Sequence, residues 1–355
     1  AERGRVQGFF GAVWGIAGVS GPLLGGAIVA LASWRWVFWI NLPLGLATLA
    51  VLAFAYREAP RARQTSRLDL GGAAAILVSS LALLLAASDV LPLVTAGLGV
   101  VLAVAFVMIE KRVKDPLLPI GLVIRPRIAV AATASLLLGA SMMGVLSFLP
   151  LHVQGVLSGA PTEAGLVIAP MLVGWPLASA MTSRLLMRIG YRRPIRIGVV
   201  LAALSFAAMA WLVVARAPMW ALGASMFGFG TGMGLANTAL LIGVQASVGW
   251  EQRGVATALT QFARTMGGAL GVGALGALLA ARLGASLPPE TVRALLEAHE
   301  GSAMTHDARV IDALGAALGP LFWVGAASAA LAFLVVMAQP ADESFEPTPA
   351  PAPAE

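Results

Sequence analysis

The sequence predicts an all-α polytopic membrane protein, and three observations carry that prediction. Apolar residues make up 59% of the 355 and charged residues only 11%, where an ordinary soluble domain carries about 25% charged. A soluble fold of this length could not hide so much apolar surface. Apolar stretches of about 20 residues, the length that crosses the hydrocarbon core as a helix, recur along the chain. Lys and Arg collect in every second connection between those stretches, the distribution expected of cytoplasmic loops.

Ten segments qualify as spans, approximately 8–32, 36–56, 70–88, 91–109, 128–151, 163–183, 195–215, 219–248, 255–284 and 314–338. In the first, Gly11, Gly15, Gly18, Pro22 and Gly25 recur every three or four residues and so share one face. Small residues there let another backbone approach closely, and Pro22 removes a helix hydrogen bond. The spans 219–248 and 255–284 exceed what a crossing needs, which predicts tilt or extension past the membrane. Residues 285–313 form a loop in which Pro288-Pro289-Glu290 opens a short amphipathic helix through Ala298. The Pro-rich, acidic tail Gln339–Glu355 is expected to be disordered. The chain starts at Ala1 and enters an apolar segment almost at once, so the expectation is a fragment whose N-terminal part is missing.

Charge placement orients the spans. One set of alternate loops holds Arg3, Arg5, Arg57, Arg61, Arg63, Arg67, Lys111, Arg112, Lys114, Arg125, Arg127, Arg184, Arg188, Arg192, Arg193, Arg196 and Arg253. The other set holds Arg35, Arg216, Arg282, Arg293 and Arg309, and Arg264 lies inside a span. Seventeen against five places both ends of the chain in the cytoplasm. The net charge of +6 is therefore an orientation signal, and no nucleic-acid partner is expected. The absence of cysteine excludes disulfides, thiolate metal sites and cysteine nucleophiles.

A shift of 250 residues aligns two helix starts: Arg3-Gly4 with Arg253-Gly254, Gly18 with Gly268, Gly21 with Gly271 and Gly26 with Gly276. Parallel repeats of this kind build some secondary transporters; chance matching of Gly-rich helices is the other explanation.

The run GFFGAVWGIAGVSGPLLGG, with Gly8, Gly18, Gly21, Pro22, Gly25 and Gly26, resembles the antiporter motif on the fifth helix of drug exporters of the major facilitator superfamily. Ala17 stands where that pattern usually has glycine. The segment Trp34–Gly45 is similar to the start of the sixth helix in the fourteen-helix drug:proton antiporter family. Ala164-Gly165-Leu166, Arg253-Gly254-Val255-Ala256 and Ala263–Gly271 resemble later landmarks of that family. The resemblance spans roughly residues 2–338 and implies a major facilitator superfamily fold with the N-terminal four helices missing. It divides the chain into the last two helices of the N-terminal half (1–56), an inserted helix pair with cytoplasmic loops (57–127), a C-terminal six-helix half (128–338) and a cytoplasmic tail (339–355). Ser183–Arg193 resembles the second copy of the superfamily's cytoplasmic gating loop through Arg184, Arg188, Gly190, Arg192 and Arg193. Ser183 and Met187 replace its usual Gly and Asp, which puts a charge lock there in doubt.

Arg264 lies ten residues beyond Gly254, roughly 15 Å along a helix and near mid-bilayer. An Arg there costs several kcal/mol unless it faces protein or water. Gly267, Gly268 and Gly271 share its face and should turn it inward. It serves conformational coupling, or balances a carboxylate that gains and loses a proton, or else makes structural bonds to backbone carbonyls. Every acidic residue falls in a loop, a tail or a helix end, so no buried carboxylate is expected to carry protons; Asp69, Asp89, Glu110 and Glu163 come nearest to lipid. Trp14, Met142, Met143, Trp175, Met233, Asn237 and Gln261 are candidates for a substrate cavity, with ordinary packing as the alternative. His299 and His306 lie near Glu300 and Asp307, yet a solvated loop explains them and neither metal nor cofactor is expected.

The resemblance implies proton-coupled efflux of small amphipathic or cationic compounds, by alternating access, across a bacterial plasma membrane. The implied partners are that small-molecule substrate, protons and the lipid bilayer. A transporter-like sensor or a non-transporting truncated product is the alternative. A membrane enzyme would need paired carboxylates, metal ligands or an activated nucleophile at membrane depth, and the spans hold no such cluster.

Overall fold

The computed structural model describes residues 13, 21, 24, 28, 31–55, 69–87, 91–113, 116–288, 290–292 and 307–338. Of the expected first span, Val13, Gly21, Leu24, Ile28, Leu31 and Ala32 are described; the first five are helical and Ala32 forms a turn. The rest of that span, the aligned Arg3-Gly4, Gly18 and Gly26, most of the 285–313 loop, His299, His306 and the tail beyond 338 lie outside the described residues. Glu290 to Val292 are helical, at the place where the short loop helix was expected.

Two helices follow one another through the second span, α1 (Trp34–Trp39) and α2 (Asn41–Ala55). No residue of α2 is buried. α3 (Leu70–Ala87) and α4 (Pro92–Glu110) form an antiparallel hairpin. Ser79 fastens it by donating its hydroxyl to the Gly99 carbonyl at 2.7 Å. After the short α5 (Ile120–Val123) come six long helices: α6 (Pro126–Gly155), α7 (Pro161–Ile189), α8 (Arg192–Val214), α9 (Met219–Ala246), α10 (Arg253–Gly284) and α11 (Ala308–Met337). Pro92, Pro126 and Pro161 open their helices, where the missing N–H has no intrahelical partner to lose. Among the described residues, eight helices are long and apolar enough to cross a membrane, and α3 falls just short.

The six long helices pack in the order α7–α9–α8–α11–α6–α10, an arc that runs out of sequence order. Its most extensive seams are α7 on α9, α6 on α10 and α8 on α9. In lipid no hydrophobic force draws apolar helices together, so close backbone approach and interhelical hydrogen bonds must hold them. Glycine provides that approach. A Cβ on Gly230 of α9 would lie 2.5 Å from the Met171 carbonyl oxygen of α7, and one on Gly174 of α7 would lie 2.7 Å from the Phe227 carbonyl oxygen of α9. On the other seam a Cβ on Gly271 of α10 would stand 2.8 Å from the Cα of Ala140 in α6. Between α6 and α11, Ser141 donates to the Gly325 carbonyl at 3.0 Å, and Ser328 donates back to the Leu137 carbonyl at 2.9 Å. At the end of the bundle near residue 216, Arg216 pairs with Asp312 at 2.6 Å.

The helices run longer than their apolar windows. α11 starts at Ala308, ahead of the expected 314, because Asp307 caps it by accepting the Arg309 N–H at 2.9 Å. α8 takes Arg192 and Arg193 into its first turn, ahead of the expected start at 195. With 30, 29 and 30 residues, α6, α7 and α11 fall between the two helices singled out for length, which have 28 and 32.

Candidate functional site

The arc leaves its two end helices, α7 and α10, on either side of a mouth. Arg264 of α10 reaches across it and lays its guanidinium over the Trp175 ring of α7, 5.8 Å from the ring centroid. The contact is long for a cation–π pair, near the outer limit of about 6 Å. Both side chains are half-buried. Among the described residues no carboxylate pairs with Arg264.

Glycine contacts fix both backbones. A Cβ on Gly139 of α6 would overlap the carbonyl of Arg264, and one on Gly234 of α9 would overlap the carbonyl of Trp175. Each member of the pair is thus held from behind by the helix its own helix packs on. Gly267, Gly268 and Gly271 turn toward α6, where added Cβ atoms would meet Leu136, Met143 and Ala140. That glycine face forms the seam, while the Arg264 side chain leaves the seam for the mouth.

Gln261, one turn before Arg264, is exposed; Asn237 is half-buried. Met143 is 38% exposed, whereas Met142 is 7% and Met233 is 0% exposed. The last two correct the expectation of a cavity lining: they fill the interior of the bundle, where a flexible thioether suits an irregular gap. In α9 beside Asn237, Thr238 donates to Ser179 of α7 at 3.0 Å, so hydroxyls there bond across the seam. A separate apolar cleft of about 560 Å³ lies between α7 and α9, lined by Leu166, Val167, Pro170, Trp220 and Phe227 with Glu163 at its edge. Glu163 accepts the Ala160 N–H at 2.7 Å and so caps its own helix.

In the loop that resembles a gate, Gly190 closes α7 with φ +73° and ψ −178°. A side chain is strained in that region of backbone space, which is essentially reserved for glycine. Arg184, Arg188 and Arg193 are exposed and Arg192 is half-buried. Of the residues that resemble the antiporter motif only Gly21 is described, helical and with nothing within 4 Å of an added Cβ. Gly8, Gly18, Pro22, Gly25, Gly26 and Trp14 lie outside the described residues.

Two buried ionisable groups go beyond the sequence reading, which named Glu110 only as a helix-end residue near lipid and did not single out His152. Glu110 closes α4 at a helix end, as expected, yet it is only 3% exposed. The chain after α4 folds back over it: Glu110 accepts the Leu118 N–H at 3.0 Å, and Gly72 lies against both Glu110 and Asp69. His152 of α6 is 0% exposed and edge-on to Phe322 at 6.4 Å, and among the described residues neither ring nitrogen has a partner. Its place as one polar ring in an apolar run was the available signal. No group of three or more metal-ligating side chains occurs among the described residues.

A family model described as Major Facilitator Superfamily matches residues 1–272. The chain belongs to the Major Facilitator Superfamily. This is a superfamily of transporters, not of enzymes. Within it the chain is 31% identical over 304 residues to the Multidrug transporter protein MdtP of Bacillus subtilis, covering 82% of this chain and 55% of that protein. It is also 31% identical to the Puromycin resistance protein pur8 of Streptomyces alboniger over 290 residues, 77% of this chain and 56% of that one. The chain thus spans about half the length of the curated relatives it matches. Among solved structures, a bacterial homolog of the human lysosomal transporter Spinster, in an inward-facing and occupied conformation, matches with a TM-score of 0.50 at 13% identity. That match covers 75% of this chain and 64% of the other and supports the superfamily fold. The kinship with proteins named for multidrug transport agrees with the resemblance to drug:proton antiporters.

Proposed function

We propose that this chain is the C-terminal part of a proton-coupled exporter of small amphipathic compounds that works by alternating access. The observation that carries the reading is the six-helix arc, tied along glycine-tight seams, whose mouth presents a mid-span Arg264 and the Trp175 ring. A body held by backbone contacts moves as a unit, which alternating access requires. A charge kept at membrane depth is costly enough to imply a task. Kinship with proteins named for multidrug transport and puromycin resistance supports an amphipathic substrate.

In this reading residues 1–56 close the N-terminal half, 57–127 hold the inserted pair and 128–338 form the C-terminal half. The bilayer is a bacterial plasma membrane in this reading, and the seventeen-to-five split of basic residues supports a cytoplasmic side for both chain ends. The proton enters as the coupling ion.

The test uses the full-length protein in proteoliposomes with an imposed pH gradient. Efflux of N-phenyl-1-naphthylamine, a neutral aromatic amphiphile, is followed by its fluorescence. Gradient-driven efflux that collapses with a protonophore is the expected result. Dye movement indifferent to the gradient would overturn proton coupling and favour the sensor.

A further inference from the structure

We infer that the Arg264–Trp175 pair is an anion-selecting subsite, taking compounds that carry a carboxylate, sulfonate or phosphate beside an aromatic or apolar body. The inference rests on the export reading above and adds to it the charge of the substrate.

Among the described residues Arg264 is the one cation at mid-span in the six-helix arc, and no carboxylate there neutralises it. The helices packed around it contribute no acidic side chain at its depth. The α6 residues that face α10 are Leu136, Gly139, Ala140 and Met143, and α7 contributes Trp175. The guanidinium carbon lies over the Trp175 ring, and no hydrogen bond to a described residue occupies its N–H edge. That edge presents paired donors whose spacing fits the two oxygens of a carboxylate or sulfonate. The ring beside it offers an apolar face to whatever body the anion carries.

Position also favours selection. Gly139 and Gly234 fix the two backbones from opposite sides of the mouth, so the pair is set before a ligand arrives, and preorganisation of this kind raises affinity without new contacts. The low dielectric at that depth strengthens attraction for an anion and repulsion of a cation alike. The site discriminates by charge in both directions. Gln261, exposed one turn away, adds a neutral donor and acceptor on the same side of α10.

Two dyes that share an aromatic frame isolate the charge. 1-Anilinonaphthalene-8-sulfonate is anionic, and N-phenyl-1-naphthylamine lacks the sulfonate. Their binding to the purified full-length protein is read in detergent by energy transfer from tryptophan, with empty micelles subtracted. The expected result is that Arg264→Ala weakens the sulfonate dye at least tenfold and the neutral dye less than twofold. Arg264→Gln, which keeps length and polarity, gives the same split if the alanine variant fails to fold. Arg264→Lys keeps the preference for the sulfonate to within a few-fold. Equal loss of both dyes, or no loss of either, overturns the inference, as does a lysine variant that behaves like alanine. Binding needs no pH gradient. If gradient-driven efflux fails while the dye split holds, export is refuted and the subsite stands; if efflux succeeds while the split is absent, the subsite falls alone.

Discussion

Replacing Gly267 by Ala tests whether α10 is locked to α6 by backbone contact. A Cβ there would stand 2.6 Å from the carbonyl carbon of Leu136 and 2.8 Å from its Cα, where ordinary contact is 3.4–4 Å. The Leu136 backbone cannot yield without unwinding α6, so the helices must part by roughly 1 Å, an overpacking strain worth about 1–3 kcal/mol. Ala favours the helix over Gly by about 1 kcal/mol, which leaves a net loss of about 1 kcal/mol. Gly276→Ala supplies the control on the same helix, since nothing lies within 4 Å of its added Cβ. That variant gains the propensity of about 1 kcal/mol without the clash. The two should differ by about 2 kcal/mol, or about 4–8 °C in Tm for a body of this size. Thermal unfolding of the purified full-length protein in detergent, followed by tryptophan emission, reads the difference. Midpoints within about 1 °C of each other would show that backbone contact does not hold this seam.

Two other substitutions probe different parts of the same body. Gly190→Ala forces a side chain into φ +73° and should cost about 1–3 kcal/mol; unchanged thermal stability, together with unchanged protease sensitivity between α7 and α8, would contradict that turn. Ser141→Ala removes the hydroxyl that bridges to Gly325 and should lower stability by about 0.5–1.5 kcal/mol, and a Tm equal to that of the parent would show the bridge to be idle.

The spans were legible because lipid imposes a simple condition: every backbone group is satisfied within the segment and every outward side chain is apolar. Hence 70–88 and 219–248 come within two residues of α3 and α9. Helix ends were less legible, because Asp307 and the arginines at 192 and 193 extend helices through polar residues that no hydropathy window includes. Facing was the least legible. In an apolar-all-round helix no periodicity separates the side turned to protein from the side turned to lipid. Met233 and Met143 therefore looked alike, yet one is wholly interior and the other is exposed. Glu110 was misjudged for a different reason: a loop several residues on folds back to cover it. Arg264 stood out in the sequence, as did Trp175 as an aromatic candidate, but their meeting depends on an arc that runs out of chain order.

That arc has a weak point whose strength can be compared with its seams. α7 rides with α9 and α10 rides with α6, each through close glycine contacts spread over several turns. Across the mouth stand the Arg264–Trp175 contact, worth about 0.5–2 kcal/mol, and the Gln245–Thr257 hydrogen bond at 2.9 Å that joins α9 to α10. RT is about 0.6 kcal/mol at room temperature, so the mouth is held by far less than the seams are. Opening of the mouth would draw Arg264 away from the Trp175 ring and change the emission of that tryptophan. An intrinsic gauge of opening is thus built into the body, readable without a label once the other tryptophans have been replaced.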